Sequence, residues 1–391
     1  MPKLKKNNLF YFIFLFLFFF AIYLSYVGGY GSDEDTLPMI TTFEQIYYNG
    51  DIFTSRFTGY PVAEIGIGFL SFYFGSFLAN IVTFSFLIIS LVFIYLTFNT
   101  KQKNFLDLFP IFLILCLSNP IIFFENLEPI DYSWSLAPFA IGCFLYTKKK
   151  YEIAMLLFVL CIGARINFSL FVIIFVLFDT KNKNLNDKII YLFCCLFFAS
   201  LFYLPVWYTH KFGFEWFTAA RPIEQGFYGL LSRFIYKIIH LFTLLSFILI
   251  SFYVLNKKII NAFLSDKRIL YLFISNLFIF LWIPAEYSYL LLGLILFYFF
   301  LIKNLSTNKI IFIIILNFST WFIQFDFLDI KYRYNILNDC KLPVQALDAS
   351  FKFKTLDGSV EEYFKTRKKI ICWVDRETER GKKIINGKAL K

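Results

Sequence analysis

The sequence holds 391 residues, 59% of them hydrophobic, with 57 Phe and a mean hydropathy of +0.66. No water-soluble domain hides that much apolar surface, and with only two His there is almost no material for a His-ligated metal centre or a Ser-His-Asp triad. The net charge of +11 suggests a nucleic-acid binder at first sight, yet basic residues gathered on short membrane loops set topology and need no anionic partner, so no nucleic acid is implied.

Polar residues come in short clusters between apolar runs of about 14–22 residues, the size that crosses a hydrocarbon core about 30 Å thick. The basic start (residues 1–8) and the span-length run from Leu9 to Val27 predict an uncleaved first helix with its N-terminus in the cytoplasm. A polar loop follows. Ser32 reads as a helix N-cap with Asp33, Glu34 and Asp35 in the first turn. The stretch from Leu37 to Tyr48 is amphipathic, Gly50-Asp51 is a turn, and the loop closes on Arg56, Gly59-Tyr60-Pro61 and Glu64.

Further spans are placed at 78–98, 105–124, 131–147, 151–164, 166–178, 188–208, 234–255, 268–283, 287–302 and 308–325. Charge decides the short pair. With two helices meeting at Arg165, 17 Lys and Arg lie on inner loops and five on outer loops before the tail. Fusing the pair would put Lys257, Lys258, Lys267 and Arg268 outside, against the positive-inside rule. The fold class is therefore an all-α polytopic membrane protein of about eleven transmembrane helices, occupying 1–325, with a large first outer loop (28–77). Residues 326–391 read as a small C-terminal α+β domain outside the membrane. A hairpin is expected near 370–387, and Cys340 and Cys372 are placed to pair. Cys116, Cys143, Cys161, Cys194 and Cys195 lie in apolar runs and read as buried hydrophobes.

Several outer groups carry chemistry. The acids of the first loop offer a general base held at the membrane surface. Arg56 offers a partner for a phosphate leaving group. Arg165 sits at membrane depth, where a cation needs a partner or water. The loop 125–131 brings three acids, ending in Asp131. His210, Lys211 and Arg221 accompany Trp216 and Phe217 on the loop 209–233, just after Trp207 at the end of the preceding span, and Glu286-Tyr287 lies on a late outer turn. Each also has a plain structural reading as cap, interfacial anchor or solvated turn.

The order of these elements resembles the membrane-embedded C-type glycosyltransferases that use polyprenyl-phosphate sugars, such as the protein O-mannosyltransferases and the bacterial aminoarabinose transferases. The resemblance runs through Asp33-Glu34, Arg56 with Gly59-Tyr60-Pro61, Phe74-Gly75, Asp131, Gly163-Ala164-Arg165 and the turn Pro284–Leu290. It implies an inverting sugar transfer at the outer face of the bacterial cytoplasmic membrane, from a polyprenyl-phosphate-linked donor to a glycan, lipid or protein acceptor. Asp33 or Asp35 is the base of that reading, within the catalytic set Asp33, Glu34 and Asp35. Arg56, Arg165, His210, Lys211 and Arg221 serve the donor phosphate and lipid. Tyr60, Glu64, Asp131, Glu286 and Tyr287 serve the sugar or acceptor. No cofactor or metal is required, with a divalent ion between the acids as the alternative. A transporter, flippase or polymerase of lipid-linked glycans is the rival function.

Overall fold

The computed structural model describes residues 3–32, 35–50, 59–98, 105–179, 184–210, 267–282, 287–337, 340–367 and 369–391, together with scattered residues between 231 and 264. The first helix, α1 (Lys3–Val27), shows which solvent the fold is built for. Leu17, Ala21 and Leu24 are buried on one side, while Phe12, Phe16, Phe19, Tyr23 and Tyr26 remain exposed on the other at steps of three and four. An exposed aromatic stripe at helical spacing suits lipid and not water. The long helix α10 (Leu185–His210) repeats the pattern, leaving Ile189, Phe193, Phe197, Leu201 and Leu204 exposed.

Between them lie α2 (Thr36–Asn49), α3 (Pro61–Phe74), α4 (Ser76–Phe98), α5 (Phe105–Ser118), α6 (Pro120–Phe124), α7 (Asp131–Thr147), α8 (Tyr151–Ala164) and α9 (Phe168–Leu177). After them come α11 (Lys267–Trp282), a 3-10 turn (Tyr287–Leu290), α12 (Leu291–Asn304) and α13 (Thr307–Ser319). Among the described residues, four stretches are long and apolar enough to cross a membrane: Leu9–Val27, Ser76–Phe98, Leu185–Tyr208 and Tyr287–Asn304. A fifth is a pair bent by 85°, Leu108–Ser118 with Pro120–Leu127. This is an α-helical membrane protein.

That bend breaks the stretch 105–124, which the sequence reads as one span, into two helices, and its cause is local. Pro120 excludes Asn119 from the helical region, and Asn119 is extended (φ −72°, ψ 122°). Its side-chain oxygen then accepts from Ile121 N (3.0 Å) and Ile122 N (3.2 Å), restarting the helix in a new direction. Its amide donates to the Tyr298 hydroxyl (3.0 Å), to which Asn317 also donates (3.2 Å). Asn119→Ala removes a cap and leaves buried polar partners behind, so it is expected to lower stability by about 1–3 kcal/mol. Thermal unfolding in detergent reads this directly, and a change under 0.5 kcal/mol would deny the cap its role.

The split at Arg165 stands as the charge pattern predicts, with α8 ending at Ala164 and α9 starting at Phe168. The end of the bundle differs. The sequence carries the last span to 325, whereas α13 stops at Ser319 and a strand begins at Ile323. Trp321 fixes the change of course by donating its indole N–H to the Ser118 carbonyl (2.8 Å).

The strand β1 (Ile323–Leu337) pairs antiparallel with β2 (Cys340–Asp357), from Ile323 opposite Asp357 to Leu337 opposite Cys340, with three register irregularities. The tail thus contains a hairpin, but at 323–357, and the stretch 370–387 where the sequence places one is helical and turn. A 3-10 helix covers Lys369–Trp373, α14 is Ser359–Thr366 and α15 is Glu379–Ile385. The signals for α15 are ordinary helix signals. Thr378 caps it by accepting from Gly381 N (3.0 Å), Glu379 opens it and Lys382 and Lys383 close it. Cys340 and Cys372 form a disulfide, as their placement suggests.

The tail completes helices at the other end of the sequence. Helix termini leave backbone groups without internal partners, and the tail supplies several. Tyr363 donates its hydroxyl to the Leu24 carbonyl near the end of α1 (2.7 Å). Leu390 N and Lys391 N donate to the Ser71 and Phe72 carbonyls near the end of α3 (3.3 and 3.0 Å). Ser76 N, at the start of α4, donates to the Gly387 carbonyl (3.0 Å). Gly75 permits that approach: it has φ +82°, and a Cβ there would stand 2.7 Å from the Gly387 oxygen. Arg380 adds a two-pronged contact to Glu44 on α2 (2.8 and 3.0 Å). Ile370, Val374, Ile384 and Leu390 share one apolar cluster with Tyr30, Met39, Ile40, Ile67 and Phe72. The tail and the first loop are therefore packed as one body.

Candidate functional site

The connection 125–131, between α6 and α7, gathers the polar elements. It is braced from within: Asn126 donates to the Ile122 carbonyl (2.8 Å), and the Ser133 hydroxyl donates to the Asn126 side chain. Its three acids then reach in three directions. Glu125 accepts from the Ser288 hydroxyl on the late turn. Glu128 accepts from Ser32 N (3.3 Å) and from the Ser32 hydroxyl (3.1 Å) in the first loop. Asp131 faces the Arg165 guanidinium across 3.0 Å.

The Arg165 cluster is the most enclosed of the three. Arg165 is extended (φ −153°, ψ 120°), and this interruption between α8 and α9 turns its side chain inward. It is 1% exposed, and Asp131 and Glu64 are fully buried. The guanidinium lies over three aromatic rings: Tyr132 at 3.9 Å, Tyr289 at 4.6 Å and Tyr60 at 5.2 Å. Cation–π contacts in such a desolvated place are worth up to about 2 kcal/mol each, and with the carboxylate they offset the cost of burying the charge. One side chain thus ties together the starts of α3 and α7, the α8–α9 break and the late turn. Beside it, a cavity of about 20 Å³ lined by Tyr132, Arg165, Asn167, Asn276 and Tyr289 is too small for a sugar.

The late segment 287–294 separates this cluster from a much larger space. An apolar groove of about 410 Å³ is lined by Phe234, Ile250, Phe273, Leu277, Leu294 and Phe297. Asn276 secures the partition by accepting from Gly293 N (3.0 Å) and donating to the Tyr289 carbonyl (2.8 Å). Lys237 holds its ammonium 4.5 Å from the centre of the Tyr287 ring, and its sequence neighbours Phe234 and Ile238 line the groove.

Of the residues singled out from the sequence, Asp33, Glu34, Arg56, Lys211, Arg221 and Glu286 lie outside the described residues, as does the side chain of His210. The structure brings Tyr60, Asp131 and Arg165 together, sets Glu64 one turn beyond Tyr60 in α3, and places Tyr287 under Lys237. Asp35 takes the N-cap position of α2 without a side-chain capping bond. Ser32 is not that cap, because its hydroxyl is given to Glu128. Tyr289 enters the sequence reading only as part of the turn Pro284–Leu290, and Tyr132, Lys237 and the tail's Arg367, whose Nη1 stands 3.6 Å from Glu128, are not singled out there. Only Lys237 had a usable signal, as a lone cation in an otherwise apolar run. Among the described residues, no group of three or more His, Cys, Asp and Glu is arranged to hold a metal ion.

No family model matches this sequence, and no curated protein or solved structure matches it.

Proposed function

We propose that the chain is an integral membrane glycosyltransferase that moves a sugar from a polyprenyl-phosphate donor to a glycan, lipid or protein acceptor at the outer face of the cytoplasmic membrane. The observation that carries this reading is the apolar groove of about 410 Å³ with a cation and polar side chains at its flank. A polyprenyl chain reaches such a groove from the bilayer, where packing against apolar side chains and not transfer from water holds it, and its phosphate needs a cation at the end of the chain. Lys237 meets that need, with Arg56, Lys211 and Arg221 as the further cations of the outer loops.

The reaction is a single displacement. Asp33 or Asp35 takes the proton from the acceptor hydroxyl, whose oxygen bonds to the anomeric carbon. The bond from that carbon to the phosphate oxygen breaks, and the lipid phosphate leaves with its electron pair and negative charge, stabilised by the cations. Such a leaving group needs no proton, so one carboxylate suffices. Arg165 and Asp131 hold Tyr60 and Tyr289 in place around the site. About eleven crossings with a cytoplasmic N-terminus would set the acidic loop and the tail on the outer face, and a disulfide in the tail agrees with an oxidising compartment. A flippase for the same lipid is the alternative, because the groove would serve either.

The test uses purified protein in detergent with radiolabelled polyprenyl-phosphate sugars. Wild type should release polyprenyl phosphate, and either Asp33→Asn or Asp35→Asn should slow release by about 10²–10⁴-fold, the range of a lost general base. A wild type that neither consumes nor binds any such donor would end this reading, and normal turnover by both variants would end the role of the acidic loop.

A further inference from the structure

We propose that Arg367 of the tail is a positioning residue for the acidic first loop, acting through Glu128 on Ser32. The kinetic part of this proposal rests on the transferase reading, and the structural part does not.

The contacts form a short chain across three distant parts of the sequence. Arg367 is 6% exposed. Its guanidinium lies on the face of the Tyr363 ring (3.9 Å) and its Nη1 stands 3.6 Å from Glu128 Oε1. Glu128 is itself buried, and its two oxygens accept from Ser32, one from the backbone N–H and one from the hydroxyl. An ionised carboxylate in such a place needs an opposite charge nearby, and the guanidinium supplies it. The first-loop backbone is shaped to this carboxylate. Gly31 has φ +96°, and a Cβ there would fall 2.6 Å from Glu128 Cδ and Oε2. Ser32 directly precedes Asp33, Glu34 and Asp35, and Asp35 begins α2. Holding Ser32 therefore fixes the backbone of the residue that directly precedes the acids in sequence.

Other contacts keep the tail docked without Arg367. Arg380 on Glu44, Gly387 on Ser76 and Leu390 on Ser71 are all separate from Ser32 and from the Arg367 guanidinium. Losing Arg367 should thus loosen the acidic segment while the tail stays in place, and this distinguishes positioning from simple attachment.

Hydrogen–deuterium exchange on the purified full chain in detergent tests this, comparing wild type with Arg367→Gln, Arg367→Lys, Ser32→Ala and Arg380→Gln. In Arg367→Gln and Ser32→Ala, peptides covering 28–36 should exchange about tenfold faster, while those of α7 and α12 stay unchanged. Arg367→Lys, which keeps the charge, should recover most of the protection. In donor turnover, Arg367→Gln should lower kcat about tenfold with KM within about twofold, the signature of a group that acts on the reacting geometry and not on binding.

Unchanged exchange at 28–36 in Arg367→Gln overturns the proposal, as does an equal acceleration in Arg380→Gln. If Arg367→Gln fails to fold, Ser32→Ala decides, and wild-type exchange there overturns it. If exchange responds as expected but wild type consumes no donor, the positioning chain stands and the transferase reading falls.

Discussion

Replacing Arg165 with Ala is expected to lower stability by about 3–5 kcal/mol, the usual cost of leaving one member of a buried ion pair behind. The reasoning starts from burial. Asp131 has no exposure to solvent, and its carboxylate faces Arg165 across 3.0 Å. Removing the guanidinium strands that charge and also removes the cation from the faces of Tyr60, Tyr132 and Tyr289. The loss is not the net worth of the pair. Replacing both members by apolar residues of similar volume, Arg165→Met with Asp131→Leu, is expected to recover much of the stability, because neither charge then needs compensation. Unfolding of the two single variants and the double variant in detergent, taken as a double-mutant cycle, measures the coupling. Arg165→Ala within 1 kcal/mol of wild type would show that this cluster does not hold the bundle together.

Loss of the disulfide is the second large effect. Cys340 and Cys372 are 32 positions apart. Closing a loop of that length removes about 3–4 kcal/mol of chain entropy from the unfolded state in the standard treatment. The bond ties the turn end of the β1–β2 hairpin back to the 3-10 helix, and from there to the apolar cluster shared with the first loop. Cys340→Ser with Cys372→Ser, or reduction of wild type, should therefore lower the melting temperature and open the hairpin to limited proteolysis. The membrane helices should keep their resistance. If both thiols of the unreduced protein react with an alkylating reagent after unfolding, the bond is not present and this expectation fails.

The parts legible in the sequence are those written in local pattern and in charge. The break at Arg165 followed from loop charges alone, and the pairing of Cys340 with Cys372 from their joint place in the tail. The misreadings share a physical cause, which is that one local signal admits two partners. Ser32 followed by three acids has the pattern of a helix cap, yet its hydroxyl is taken by Glu128 from far along the chain. Ile323 and Phe325 are as apolar as a helix end, and only their pairing with Thr355 and Asp357 makes them a strand. The connection 125–131 reads as a solvated turn because nothing in its own seven residues reveals that each acid has a different destination. The capping of α1, α3 and α4 by the tail is mainly backbone chemistry, which leaves no trace in side-chain pattern.

That capping has a consequence for how the protein comes into being. Tyr30 donates its hydroxyl to the Lys388 carbonyl (2.9 Å), a contact between residues 358 positions apart. Residues 387–391 leave the ribosome after the described helices of the membrane core, so the end of α3 and the start of α4 wait more than 300 residues of synthesis, from position 76 to position 387, for the groups that finish them. Contacts this far apart in sequence form late, since loop closure must come first. The first loop therefore reaches its final form only after the tail has been made, moved to the same side of the membrane and folded. A chain interrupted before residues 387–391 carries the helices but not the completed loop, so truncation there is expected to leave α3 and α4 unfinished.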